Sequence, residues 1–473
     1  MSEIATDKFD DWKKEDSFEH HELAIVEQPV SSANQESTCS SALDLRDPRN
    51  WPHCKKDVVI LMISFHSMSS TFMTAGIVPA SSKFAVSYGV SLASASYLVS
   101  IQILLLGVTP IFWVVAMERY GRHYILIFSV LASMVCNLGG AWCTTYAGQM
   151  VTRALCATFI SPPIGIGSVI VTELTTPDER ARKLGWWVVM TILGTPAGPF
   201  IMGFVVQHTQ VRWIFWIYSI VNFLQAVAYL LLGAETLYPP VPKSETLEVK
   251  GSVMKTLARK LVPRRLDVRP MRLRNVLTPF ELAANTRILV AAMATSIKFC
   301  YGNIVYVVEM PLTFTEKLGL DAQQTGHQFA SYIQSAGGNF YPADRFWLTY
   351  IGFFTIIAGL LIWGSRLEQA TTWNITPCVG IAIASFGNQI QSNVLTAYAV
   401  DTSPDKSAHI GVFFNFIRLL YGFIAPFYFP YLFNTLNYAV AAGLMCGLVV
   451  IGGIIPVSII QLTASRKDLS IEM

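Results

Sequence analysis

Charge is what this chain is short of. Only 14% of its 473 residues are Asp, Glu, Lys or Arg, against about a quarter in an ordinary soluble domain. A water-soluble fold of this length needs more charge to cover its surface, so that class is excluded. Paired cysteine motifs are missing too. The eight cysteines, at 39, 54, 136, 143, 156, 300, 378 and 446, form no CxxC pair and no Cys/His cluster. That argues against a disulfide framework or a metal site. There is no GxxxxGK[ST] phosphate loop, nucleophile–base pair or metal set, so neither an ATP-driven pump nor an enzyme is expected. Nucleic-acid binding has no support beyond one basic loop.

What the chain has in abundance is apolar residues, at 52%, gathered into long runs. The runs approach the roughly 20 residues needed to span a hydrocarbon core as a helix. Six of them lie near 57–78, 94–117, 123–142, 148–172, 184–207 and 212–234. Five more lie near 288–312, 346–364, 374–398, 410–431 and 437–461. Between the two sets, residues 235–287 hold eleven Lys/Arg and five acids. Residues 1–56 hold twelve acids and no hydrophobic run, the composition of a disordered tail. They lack the basic-then-apolar order of a signal peptide. The expected plan is therefore a tail (1–56), a six-helix bundle (57–234), a basic linker (235–287), a second bundle (288–462) and a short C-terminal tail (463–473). Two helical bundles around a central path is the plan of a secondary transporter.

Basic residues set the orientation. Lys55 and Lys56 precede span 1, Arg119 and Arg122 follow span 2, and Arg180, Arg182 and Lys183 follow span 4. The alternate loops are nearly free of charge. Because basic loops stay in the cytoplasm, the N-terminus and the linker are expected inside, with the linker held at the anionic inner leaflet.

The second bundle has a gap. No strong apolar run exists between 313 and 345, where the best candidate for span 8 is Ala322 to Gly338, AQQTGHQFASYIQSAGG. Its length as a helix is ~25 Å, short of the ~30 Å core. If it crosses, there are twelve spans, and Arg466 and Lys467 lie inside. If it does not, there are eleven and the C-terminus is outside. We expect a short, polar, partly crossing helix. Asn374-Ile375-Thr376 is a glycosylation sequon that faces outside only with twelve spans.

Three motifs carry mechanism. In span 5, Gly185, Gly194, Gly198-Pro199 and Gly203 form a spaced series. Glycines let a neighbouring backbone approach closely, and the proline permits a bend. The loop after span 2 reads Glu118-Arg119-Tyr120-Gly121-Arg122-His123, a compact turn of mixed charge suited to pairing across helix ends. Arg153 lies within span 4, where a charge is costly and usually functional.

The span-5 series matches GX8GX3GPX2GG, the antiporter motif of the major facilitator superfamily, with Met202 in place of one glycine. The loop resembles that superfamily's GxxxDRxGR[RK], with Val114, Glu118 and His123 as departures. Arg153 matches the span-4 arginine of its RxxxG motif, with Ala157 for the glycine. Glu173, Pro177 to Arg182, Arg212-Trp213 and Glu235-Thr236 fit as well. So do Phe386 to Gln389, Tyr398 to Asp401, and Asn415 to Arg418 with Pro426-Phe427. Together these resemble the fungal drug:proton antiporter branch, in the group that includes polyamine and multidrug carriers. The similarity runs from about Asp47 to Leu462. The departure is span 8, whose second part and following loop are nearly missing. Only Asp344 to Trp347 matches that loop's end.

The resemblance implies an all-α membrane protein with two six-helix bundles, eleven strong spans plus one weak. It also implies a proton-coupled exporter of a small organic compound, a drug, toxin or secondary metabolite. Uptake of a nutrient or polyamine by proton symport is the alternative within transport. A non-transporting receptor, or a carrier disabled by its shortened span 8, is the alternative outside it. Glu309 in span 7 is the proton-carrier candidate; an interfacial acid is the other reading. Lys298 lies eleven residues before it, which a regular helix places on the same face ~16 Å away. Candidates for the substrate path are His66, Arg153, Asn222, Gln225, Lys298, Asn388, Gln389, Asn415 and Arg418, since intramembrane polar residues are functional by default. Amides that merely join helices are expected among them. Arg153, Lys298 and Arg418 outnumber Glu309, which favours a neutral or anionic compound over a polyamine. The expected partners are that compound, a proton and the bilayer, with no nucleic acid. A monomer in the plasma membrane, with no metal and no cofactor beyond the proton gradient, completes the expectation.

Overall fold

The computed structural model describes residues 48–237, 273–307, 345–372, 374–402 and 407–468. Most of the acidic tail, most of the basic linker, Glu309 and the 322–338 segment fall outside the described residues.

In the first half, α1 (His53–Ala75) starts directly after Pro52, whose fixed φ suits a helix start. A 3-10 turn (Val78–Ala80) and the short α2 (Ser81–Tyr88) extend it, and Gly89 ends it in the left-handed region. Ser91 caps α3 (Leu92–Tyr120) by accepting from Ser94 N–H. Gly121, at φ 89° and ψ 146°, makes the abrupt turn into α4 (Arg122–Trp142). A side chain at that φ is strained, so glycine is required there.

The expected span 4 is two helices, α5 (Tyr146–Ile160) and α6 (Pro162–Leu174). Pro162 and Pro163 remove two successive N–H donors, so the hydrogen-bond ladder stops at Ser161. The next helix, α7 (Pro177–His208), begins a full two turns earlier than hydropathy marks for span 5. Pro177 sits at its first position, with Asp178 and Glu179 at the positive end of its dipole. Hydropathy does not register such a start. Then α8 (Arg212–Leu232) closes the first half.

In the second half, α9 (Leu273–Glu281) precedes α10 (Thr286–Phe299), which runs into a π turn at Cys300–Ile304. That turn breaks the regular spacing expected beyond Lys298, so the common face assigned to Lys298 and Glu309 does not follow from an α-helical count. The remaining elements are α11 (Arg345–Gln369), α12 (Thr376–Thr402), α13 (Ser407–Val449), a second π turn (Val450–Ile454) and α14 (Ile455–Asp468). The two runs expected at 410–431 and 437–461 are joined as one helical stretch, bent at Asn437, where φ is 54° and ψ 160°.

Among the described residues, nine helices are long and apolar enough to cross a membrane. The count is below eleven for two reasons. The 409–462 stretch is one helix holding two expected runs. The other is α12, which falls short in apolar character because Asn388, Gln389, Gln391 and Asn393 crowd it.

Packing within each half is intimate. Helix α1 lies against α7, α4 against α8, and α11 against α12. The halves meet chiefly where α3 runs along α13. Tyr97 stacks on Phe427 with ring centroids 4.6 Å apart, and a Cβ built on Gly107 would lie 2.9 Å from the Leu419 Cβ.

Candidate functional site

The span-5 glycines explain how α7 is held. A Cβ at Gly194 would fall 2.1 Å from Thr71 Oγ1 and 2.3 Å from the Met68 carbonyl of α1. At Gly198 it would fall 2.6 Å from the Phe72 carbonyl and 2.9 Å from the Gly76 nitrogen. Spaced one helical turn apart, the two glycines form a groove into which the α1 backbone settles. Thr71 spans the contact by donating to the Thr191 carbonyl at 2.8 Å. Gly185 meets nothing within 4 Å, so packing does not account for it. Pro199 lies inside α7 without ending it, and Gly203 follows in the same helix.

The loop between α3 and α4 organises one end of the first half. The buried Arg122 guanidinium pairs with the Glu173 carboxylate at the end of α6, at 2.5 and 3.1 Å. From beyond α8, Glu235 accepts the backbone N–H groups of Arg122 and His123 at 3.0 and 3.1 Å. That carboxylate therefore caps α4. Lys183 of α7 pairs with Asp57 of α1 and covers the Trp186 ring at 4.2 Å. Arg119 lies over Tyr120, 5.8 Å from the ring centroid, and Glu118 is exposed in the last turn of α3. Four helices are thus tied by charge at one end. Sequence reading flagged Arg122, Glu173, Lys183 and Glu235, but Asp57 passed unnoticed as one acid after two lysines.

Deeper in the first half, Arg153 is 1% exposed. It donates to the Met73 carbonyl at 2.7 Å and to Gln102 Oε1, and sits 6.0 Å from the Phe215 ring. Its Nε and Nη1 have no hydrogen-bond partner. Gln102, absent from the candidates, donates back to the Arg153 carbonyl at 3.3 Å. Asn222 donates to Ser133 Oγ at 3.0 Å and so joins α8 to α4. His66 Nδ1 lies 3.2 Å from the Tyr229 hydroxyl. Gln225, one turn before Tyr229, is buried, and neither its Nε2 nor its Oε1 has a hydrogen-bond partner among the described residues. Through Ser133, Asn222 connects to Cys156, one turn from Arg153 in α5, whereas the His66–Tyr229 contact is a separate link between α1 and α8.

In the second half, Lys298 is fully buried. Its ammonium donates to the Asn388 carbonyl at 2.8 Å and to Ser392 Oγ at 2.6 Å. Arg418 donates to Asn415 Oδ1 at 2.9 Å, and its guanidinium lies 4.8 Å from the Phe299 ring centroid. Asn415 reaches across the seam, donating to the Leu106 carbonyl of α3 at 3.2 Å. Arg418 bears electrostatically on Lys298. Gln389 is partly buried in α12 beside Asn388. Asn374 is exposed ahead of α12, where its Oδ1 accepts from Thr376 N–H at 3.1 Å. No group of three or more possible metal-binding side chains occurs among the described residues.

Long apolar helices in two halves, a seam between them and cations buried beside it define a multi-pass membrane protein of transporter type. A family model described as Major Facilitator Superfamily matches residues 60–426. The chain belongs to that superfamily. It is 24% identical to an uncharacterized transporter of Schizosaccharomyces pombe, over 96% of each chain. It is 25% identical to the efflux pump radE of Floropilus chiversii, over 83% of this chain and 78% of that one. To the efflux pump vrtL of Penicillium aethiopicum it is also 25% identical, over 87% and 86%. The crystal structure of the human organic anion transporter MFSD10 (TETRAN) has the same fold. Its TM-score is 0.57 at 12% identity, covering 85% of this chain and 99% of that one.

Proposed function

We propose that this transporter exports a small organic compound in exchange for protons, by alternating access of its two halves around a site at their seam. The observation that carries the reading is the set of buried polar and cationic side chains along the α3–α13 contact, where Asn415, held by Arg418 of its own helix, links the halves. The names of the efflux pumps among its relatives support the export direction. Basic residues at the α3–α4 end support a cytoplasmic position for that end and for the N-terminus. The plasma membrane is the proposed location. A monomer with no cofactor beyond the proton gradient suffices, its partners being substrate, proton and lipid. Glu309 remains the proposed proton carrier.

The test is an accumulation screen in fungal cells lacking their major drug exporters, with and without this chain. Export predicts lower accumulation of one or more toxic organic compounds, reversed by a protonophore. Raised accumulation would replace export by uptake. An effect indifferent to the protonophore would sink proton coupling.

A further inference from the structure

Cations are buried in the spans of this protein, whereas its described acids are not. Every described Asp or Glu in a helix sits at or near a helix end, as Asp57, Glu118, Glu173, Glu281, Glu368 and Asp401 do. Lys298 and Arg418 lie well inside α10 and α13. A charge held in such surroundings costs several kcal/mol unless paired. Among the described residues both groups have only neutral partners, a carbonyl, a hydroxyl and an amide. The Arg418 Nε, a buried donor, has no acceptor among the described residues. Two like charges near each other add repulsion to the desolvation cost, and an anion bound in part of the working cycle would relieve both.

The surroundings narrow what that is. Lys298 reaches α12, where both its acceptors lie, and Arg418 sits over Phe299 of α10, so the two groups occupy the junction of α10, α12 and α13, next to α3. A Cβ built on Gly422, one turn beyond Arg418, would lie 3.1 Å from Ile304 and 3.4 Å from Ile103. Phe299 lies under the guanidinium, and Tyr421 is partly buried three residues on. The π turn starts at Cys300, two residues after Lys298, and such turns occur often at functional sites. Cationic donors beside ring faces suit a ligand with a carboxylate at one end and a planar body at the other.

We propose that Lys298 and Arg418 form a binding site for the carboxylate of a planar organic anion at the junction of α10, α12 and α13. The reading rests on the transporter assignment and adds the charge of the substrate to it. Arg418, the less buried of the two, meets the anion first. Lys298 exchanges one of its neutral acceptors, the Ser392 hydroxyl, for a carboxylate oxygen.

The experiment measures equilibrium binding to the purified full-length chain in lipid nanodiscs. The probes are cinnamate, its uncharged amide cinnamamide, and the cation cinnamylamine. Cinnamate is expected to bind about tenfold or more tightly than either of the others. Lys298→Met and Arg418→Gln should each weaken cinnamate by about tenfold and leave cinnamamide unchanged, with Lys298→Arg restoring part of the loss. Should Lys298→Met not fold, the probe series on the unaltered chain still decides. Absence of saturable cinnamate binding, equal affinity for cinnamate and cinnamamide, or cinnamate binding untouched by both variants overturns the site. Proteoliposomes separate this from the transport reading. Cinnamate bound but not moved under a pH gradient keeps the site and refutes the carrier. Movement of neutral compounds without anion binding does the reverse.

Discussion

Adding one methyl group to α7 tests how the first half is held. Gly194→Ala places a Cβ 2.1 Å from Thr71 Oγ1 and 2.3 Å from a backbone carbonyl of α1. Thr71 can rotate, at the loss of its bond to the Thr191 carbonyl, but the Met68 carbonyl cannot. The helices must separate, and overpacking of this kind costs about 1–3 kcal/mol. Alanine returns up to about 1 kcal/mol through helix propensity, leaving a net loss of about 1–2 kcal/mol. Gly198→Ala meets the Phe72 carbonyl at 2.6 Å and should lose a similar amount. Gly185→Ala meets nothing within 4 Å, so only the propensity gain remains and the variant should be neutral or slightly stabilised. The assay is thermal stability of the full-length protein by fluorescence-detected gel filtration, with the three variants side by side. If Gly194→Ala and Gly198→Ala melt with Gly185→Ala, close backbone packing is not why these glycines are there.

Three further outcomes are expected. Glu235→Ala removes the acceptor for two backbone N–H groups at the start of α4, which should lower stability by about 1–2 kcal/mol in the same melting assay. Arg122→Ala and Glu173→Gln should be non-additive in a double-mutant cycle, because they share one paired contact. Arg122→Lys should rescue little, since an ammonium cannot make the two-point contact. For the buried arginine, Gln102→Leu should destabilise by about 1–3 kcal/mol by stripping Arg153 of a partner, and adding Arg153→Met should recover part of that loss. A double variant worse than the single would refute the view that Arg153 is an uncompensated charge.

Much of this arrangement was legible in the residues. Spacing alone located the glycine groove, because the one-turn separation of Gly194 and Gly198 survives as geometry between α1 and α7. The order Glu-Arg-x-Gly-Arg announced a charged turn at Gly121, and Glu173 and Glu235 fell near it. Helix starts were less legible. Polar residues Asp178 to Lys183 read as loop by hydropathy, yet a proline and two acids at a helix start stabilise a helix there. The π turn after Phe299 had no signal, since it depends on how α10 packs against its neighbours. Gln102 was equally silent. A lone amide in an apolar run becomes meaningful only when Arg153 is found opposite it. Glu309 and the 322–338 segment lie outside the described residues, so the weak eighth span stays an expectation from composition.

The distribution of close contacts bears on how the halves move. Inside each half, backbones touch backbones. Gly194 and Gly198 meet α1, and a Cβ at Gly359 of α11 would fall 2.5 Å from the Ala384 nitrogen of α12. Such contacts cannot slide without first separating, because their fit leaves no side chain to rearrange. The α3–α13 seam differs. It carries more side-chain contact, with Tyr97 on Phe427 and Leu419 over Gly107, although a Cβ on Gly107 would also lie 3.5 Å from the Phe416 carbonyl, and Asn415 donates across the halves to Leu106. Rocking of the halves therefore has its softest place at the seam, where Arg418 is also found. Gly107→Leu puts a bulky side chain where even a Cβ lies 2.9 Å from Leu419. It should shift which side of the protein is open, read as altered cysteine labelling at opposite ends of α3, while costing less stability than a leucine at Gly194. A leucine at Gly107 that destabilised the fold as much as one at Gly194 would mean that the seam is as rigid as the bundles it joins.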